Sequence, residues 1–206
     1  STLNKDGTRK KIRPKLSGGR FLKQRRIVGY TLMLLFILIP YAPVLIGRPI
    51  FLLDITRRTF VVFGATFLAT DTVVLLLFLV ATVIGIFLLT ALFGRVWCGW
   101  ACPQTVYMEL LYRPIERLFE GAPGQQMKLD REGGGLRRFA KNIVFLIVSA
   151  FLAHTFLAYF VPVQELAQWI FGAPSQHPYA FGTAMVVTIA MFLDFAWFRE
   201  QTCIVA

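Results

Sequence analysis

Three cysteines, Cys98, Cys102 and Cys203, are the residues in this chain best suited to chemistry. The first two lie in Trp97-Cys98-Gly99-Trp100-Ala101-Cys102-Pro103, a C-x-x-x-C-P pattern. Gly99 would allow a turn between them. Pro103 suits the first turn of a helix, where a missing N–H is no loss. Thiolates select soft metals: Cu(I), zinc or iron–sulfur clusters. A cysteine–proline step also closes the ferredoxin-type run, although that run spaces its cysteines C-x-x-C. A lone cysteine reads as a small buried hydrophobe. Here two hydrophobic excursions bring a third cysteine back to the same side and depth, which favours a metal or redox site.

The elements that must position these thiols are membrane spans. The chain has 206 residues, of which 56% are hydrophobic and only 16% charged, and its mean hydropathy is +0.62. Soluble domains carry about 25% charged residues. The composition therefore points to lipid and excludes disorder, a collagen-like chain and a disulfide-rich secreted module. The charges fall in blocks, leaving 27–47, 72–94, 142–164 and 166–193 uncharged. About 20 apolar residues cross a bilayer as a helix. These runs predict an all-α integral membrane protein with four transmembrane helices, at about 25–46, 71–94, 141–161 and 179–198. The first run is too long for a signal-peptide core and no small-residue cleavage site follows it. A basic tail, 1–24, precedes the membrane domain, 25–206.

Lys and Arg set the orientation. Ten of the 22 lie between Lys5 and Arg26, and eight between Arg95 and Lys141. The two intervening loops, about 47–70 and 162–178, carry three and none. Basic residues stay inside, so both termini and all three cysteines are expected on the inner side. That compartment is reducing, which disfavours a structural disulfide. The net charge of +11 is then explained by anionic lipid at the inner surface. No nucleic-acid-binding motif accompanies it.

After Pro103, Val106, Leu110, Leu111, Leu118 and Phe119 recur at roughly helical spacing, with Glu109, Arg113, Glu116, Arg117 and Glu120 between them. This predicts an interfacial amphipathic helix, disturbed at Pro114. The run from Thr59 to Thr70 is apolar but too short to cross, and is expected to lie on the outer surface or re-enter. Asp71 reads as the cap of the second span. His154, alone inside the third span, reads equally as a copper or haem ligand and as an interhelical hydrogen-bonding group. Asp194 is expected to pair with Arg95 or Arg199. His177 reads as a solvated turn residue. Met33, Met185 and Met191 read as packing, and Trp97, Trp100 and Trp197 as an interfacial belt.

The stretch Gly94-Arg95-Val96-Trp97-Cys98-Gly99-Trp100-Ala101-Cys102-Pro103-Gln104-Thr105-Val106 resembles the first C-x-x-x-C-P signature of membrane polyferredoxins. Its Gln-Thr-Val extension is similar to the cytochrome c oxidase accessory proteins of the CcoG/FixG/RdxA family. The stretches from Ala153 to Val161 and from Trp197 to Ala206 agree with that family too. The resemblance implies a bacterial inner-membrane protein for assembly of a cbb-type haem-copper oxidase. It implies reduction of Cu(II) to Cu(I), delivery with a copper chaperone or transporter, and electrons from 4Fe–4S clusters. It also implies that a second C-x-x-x-C-P begins at Cys203. The ferredoxin-like domain with most of the clusters, and an outer domain, would lie outside these 206 residues, which alone would not be redox-competent. Site residues on this reading are Cys98, Cys102 and Cys203, with His154 as a further metal ligand. Spacing leaves open whether the thiolates hold copper or a cluster. A quinol-linked electron-transfer subunit and a non-catalytic oxidase-assembly scaffold are the competing classes.

Overall fold

A computed structural model describes residues 19–46, 51–54, 59–62, 65–67, 72–94, 96–133, 135–172 and 177–199. Among them are four helices long and apolar enough to cross a membrane. They are α1 (Arg20–Ile46), α2 (Thr72–Phe93), α7 (Gly135–Leu157) and α9 (Pro178–Leu193), the last extended by a π turn, Asp194–Phe198. Between α2 and α7 the chain forms α3 (Val96–Trp100), α4 (Pro103–Tyr107), a π turn (Met108–Tyr112), α5 (Arg113–Glu120) and α6 (Pro123–Glu132). A short helix, α8 (Val163–Phe171), leads from α7 towards α9.

The expectation of an all-α protein needs correction. Phe51–Asp54, Thr59–Val62 and Ala65–Phe67 form strands β1, β2 and β3 of a small antiparallel sheet, in that order. Phe51 pairs with Val62 and Asp54 with Thr59. Phe60 pairs with Phe67. These runs are rich in β-branched and aromatic residues and too short to form spans, so they satisfy their backbone by pairing. The sheet is tied to the bundle by the Leu53 N–H, which donates to the Tyr159 carbonyl at 2.8 Å. The whole of α8 lies where a single outer loop, about 162–178, was expected. α7 itself begins at Gly135 rather than near 141, because residues 136–141 continue its helical pattern despite their charges. The Asp71 cap lies outside the described residues.

The core sits where α4 and its π turn meet α1, α7 and the end of α9. Met33, Tyr107, Met108, Tyr112, Phe145, Leu152 and Phe195 form it together with Val106. A close approach at Gly29 permits it: a Cβ there would collide with the Leu110 side chain. α2 is apolar all round, and none of its span is buried by the rest of the chain. That is the surface of a helix solvated by lipid.

Two local features have direct physical causes. Pro40 lies within α1 and has no N–H to give to the Phe36 carbonyl four residues back. The Tyr159 hydroxyl donates to that carbonyl instead, at 2.8 Å. The second is the entry to the cysteine segment. Gly94, with φ +65°, turns the chain out of α2. Gly99, expected to make the turn, stands inside α3, and a Cβ there would meet nothing within 4 Å.

Two outcomes are expected. Tyr159→Phe should lower stability by about 1 kcal/mol, since it strands a backbone acceptor in a poorly hydrated bundle. Denaturant titration in detergent micelles reads this, and an unchanged midpoint would mean the carbonyl has another donor. Gly94→Ala should cost about 1–2 kcal/mol because its backbone is left-handed. Gly99→Ala should be neutral or stabilise slightly, as alanine does in a helix. Equal effects at the two positions would refute Gly94 as the residue that makes the turn.

Candidate metal centre

The cysteine segment is built from two short helices joined by a tight connection. The N–H groups of Ala101 and Cys102 both donate to the Trp97 carbonyl, each at 3.0 Å, which closes α3. Cys102 is then extended (φ −62°, ψ 123°) and becomes the N-cap of α4, with Pro103 next in the chain. Its carbonyl accepts the Val106 N–H at 3.0 Å. The Cys102 side chain makes no capping bond. Cys98 is exposed, Cys102 is partly exposed, and both are free thiols. Their hydrogen-bonding capacity is therefore not consumed by the fold.

Pro114 does not break the helix begun at Pro103. A proline cannot donate to the carbonyl four residues back and its ring crowds that group. The chain admits one extra residue just before it, and the Arg113 N–H reaches the Met108 carbonyl in a π turn. Such a turn rotates α5 about its axis relative to α4. It places Tyr112, Glu116 and Glu120 against the bundle, while Leu118 is 81% exposed. Of the expected apolar stripe, Val106, Leu110 and Leu111 lie in or against the core, whereas Leu118 faces out and Glu116 and Glu120 turn inward.

That charged face is fully engaged. Glu116 accepts two bonds from the Arg199 guanidinium, at 2.9 and 3.2 Å. Lys141 donates to Glu120 at 2.7 Å and lies 3.9 Å from Glu116. The Lys141 ammonium also stands over the Phe145 ring, 5.7 Å from its centroid. One turn deeper, the Tyr112 hydroxyl and Ser149 Oγ share a hydrogen bond of 2.8 Å. Tyr112 stacks on Phe195, with centroids 4.5 Å apart, and meets Phe145 edge-on at 4.9 Å. Burial pushes the Tyr112 phenol up to about 12, against the opposing effect of the Ser149 hydrogen bond. It therefore stays neutral at physiological pH.

Arg199 links this network to the cysteines. Its carbonyl accepts a bond from Gln104 Nε2 at 3.3 Å, and Gln104 is two residues past Cys102. Its N–H donates to the Asp194 carbonyl at 2.6 Å, closing the π turn at the end of α9. Asp194 was expected to pair with Arg95 or Arg199, and the Arg199 guanidinium bonds to Glu116. Arg95 and Cys203 lie outside the described residues.

The other candidates lie apart from the thiols. His154 is on α7, and its Nδ1 is 2.7 Å from the Ala150 carbonyl. It follows Lys141 by 13 residues, roughly 20 Å along the helix axis. The charged network is therefore at one end of α7 and His154 towards the other. His177 is exposed at the start of α9, with its ring 5.8 Å from Trp169. Met33 is a core residue, Met191 packs against the core and Met185 is exposed. Glu116, Gln104 and Ser149 went unremarked as site residues. Only Arg199, the single cation at the end of a long uncharged run, gave a signal.

The donor chemistry can be weighed against an iron–sulfur cluster, which takes four thiolates. Cys98 and Cys102 are of the right kind, free and accessible, and supply two of the four. Among the described residues no group of three or more His, Cys, Asp or Glu is placed to hold a metal. The described residues thus fit one half of a cluster site.

Comparison with known proteins agrees with that half-site. Residues 75–121 match the family model of a 4Fe-4S binding domain. The match runs from within α2 to the end of α5, and so contains Cys98 and Cys102. The chain is 32% identical over 159 residues to Protein RdxA of Cereibacter sphaeroides, covering 75% of this chain and 34% of that protein. It is 28% identical over 203 residues to the Nitrogen fixation protein FixG of Rhizobium meliloti, covering 95% of this chain and 38% of FixG. Protein RdxB of C. sphaeroides is 32% identical over 127 residues, covering 60% of this chain and 26% of RdxB. The chain therefore spans 26–38% of the length of these relatives. No solved structure gives a significant match. Four membrane-length helices, a C-x-x-x-C-P segment within a 4Fe-4S domain match, and these relatives together place the chain in the FixG/RdxA family of membrane ferredoxins.

Proposed function

We propose that this chain is the membrane part of a bacterial inner-membrane electron-transfer protein whose cysteines ligate a 4Fe–4S cluster at the cytoplasmic surface. The observation that carries the reading is the pair of free thiols flanking the α3–α4 connection, inside the 4Fe-4S domain match. Cys98 and Cys102 would supply two ligands, and Cys203 a third. The fourth would come from outside these 206 residues. Such a group supplies one-electron transfer when bound. The chain's own residues would present the thiols at the membrane surface, Cys102 at the start of the helix that runs on to the Tyr112–Phe195 stack. The positive-inside bias supports the orientation, with both termini and the cysteines in the cytoplasm. The segment from Pro103 to Glu120 then lies at the inner interface.

The finer reading is a redox-active assembly factor for a cbb-type oxidase. It would reduce Cu(II) to Cu(I), drawing one electron from a cluster, and pass the product to a copper chaperone or transporter. Its support is the softness of the thiolates, which suits Cu(I) better than Cu(II), and the family resemblance. His154, far along α7 from the charged network, would take no part in the thiolate centre.

Metal and sulfide analysis of the full-length protein, purified without oxygen, tests the reading. Replacing Cys98 and Cys102 by Ser should remove about four iron and four sulfide per chain together. It should also abolish one dithionite-reducible electron paramagnetic resonance signal. Loss of bound copper at constant iron would replace the cluster with a copper site. Unchanged iron, sulfide and copper would overturn any metal role for these cysteines and leave an assembly scaffold.

A further inference from the structure

Tyr107 carries a polar group that the fold leaves unused. The residue is 8% exposed, yet its hydroxyl has no hydrogen-bond partner among the described residues. The neighbouring tyrosines are engaged, Tyr112 with Ser149 and Tyr159 with the Phe36 carbonyl. Burial holds the Tyr107 phenol well above its ordinary range, so it stays protonated and able to donate. Leaving such a donor unpaired in apolar surroundings costs free energy. Native proteins seldom do so without a use for the group.

The depth of this hydroxyl narrows what could meet it. The Tyr107 ring meets Phe36 of α1 edge-on at 5.9 Å, and Phe195 in the π turn after α9 at 6.3 Å. Phe36 is ten residues past Arg26, the last charge before the first span. Ten helical residues rise roughly 15 Å, half of a hydrocarbon layer about 30 Å thick. A ligand at that depth must dissolve in hydrocarbon and still carry a hydrogen-bond acceptor. The ester carbonyls of phospholipids stay at the interface. A quinone head group is neutral and flat, and it takes carbonyl acceptors into the hydrocarbon. The surroundings suit it. Tyr159 lies beside Phe36, with ring centroids 5.3 Å apart, and its oxygen keeps acceptor capacity for the hydroxyl of a reduced quinol. Rings with a few placed polar groups are the usual lining of a small-molecule site. Phe36 is only partly buried, so this layer reaches the lipid-facing surface of the bundle.

We propose that Tyr107 is the hydrogen-bond donor of a quinone-binding site inside the bundle, entered from the lipid past Phe36. The Tyr107 O–H donates to one quinone carbonyl, and the rings of Phe36 and Tyr159 stand beside the head group. Tyr107 follows Cys102 by five residues on the same helix, roughly 7.5 Å along its axis. The head group is thus close to the thiols, but its binding requires no metal there.

The test is photolabelling of the full-length protein in lipid nanodiscs with an azidoquinone, decylubiquinone being the competing probe. Labelled peptides are identified and quantified by mass spectrometry. Label should fall on the peptides that hold Phe36 and Tyr107, and decylubiquinone should displace it. Tyr107→Phe should raise the concentration for half displacement about tenfold, as for one hydrogen bond lost in apolar surroundings. Without quinone, the denaturation midpoint of Tyr107→Phe should be unchanged or higher, because no bond is removed. A lower midpoint would show that water or a protein group already holds the hydroxyl, and would overturn the site. So would scattered labelling that decylubiquinone does not displace, or equal displacement from the two proteins. Displacement that persists in a Cys98→Ser/Cys102→Ser protein keeps the site, whatever becomes of the cluster.

Discussion

A carboxylate inside an apolar helical bundle is tolerable only where its charge is met, and Glu116 is met from two sides. Its side chain is 15% exposed, between an Arg199 at 24% and a Lys141 at 12%. Glu120, at 7%, completes an alternating set of two anions and two cations. Desolvating such groups is expensive, and well-packed apolar residues in their place are often as stable or more so. What the set supplies is register. α5, α7 and the turn that ends α9 can meet in one arrangement if no charge is to be left unpaired. The cysteine helix is continuous with α5, so its placement obeys the same constraint.

Below the charges lies a layer of rings. Tyr112 and Phe195 each belong to a π turn, and they stack on one another. The extra residue in each turn brings these rings to the contact and, one turn later, delivers Glu116 and Arg199 to theirs. Two irregularities at facing positions therefore act as one joint. The opposite end of the bundle solves a different problem. There Pro40 leaves an acceptor free in α1, Tyr159 supplies the donor, and the small sheet is tied on through the neighbouring backbone.

Much of this was legible in the residues. Uncharged runs of about 20 residues are read by length alone, and each corresponds to a long helix. The C-x-x-x-C-P segment was recognisable because its chemistry is local. What escaped was non-local or depended on competition. Glu116 and Arg199 are 83 positions apart, and no periodicity links them. Pro114 signalled a disturbance, but not that the helix would absorb it by widening one turn and pointing its acids inward. The run from Thr59 to Thr70 showed only that it was too short to cross. Whether such a run pairs as strands is decided by its neighbours. Gly99 was credited with a turn because glycine permits one, whereas the left-handed residue is Gly94. His154 drew attention as an ionisable group within a span, yet its ring bonds to its own helix, far from the thiols.

The cluster requires that the ends of the second and fourth spans present their cysteines at the same membrane surface. Labelling with a membrane-impermeant maleimide tests this most directly. It would be applied to right-side-out and inverted vesicles after metal removal, with each labelled cysteine identified by mass spectrometry. Cys98, Cys102 and Cys203 should all react from the cytoplasmic side and be protected from the other. Labelling of Cys203 from the side opposite to Cys98 would contradict the shared site, and with it the cluster.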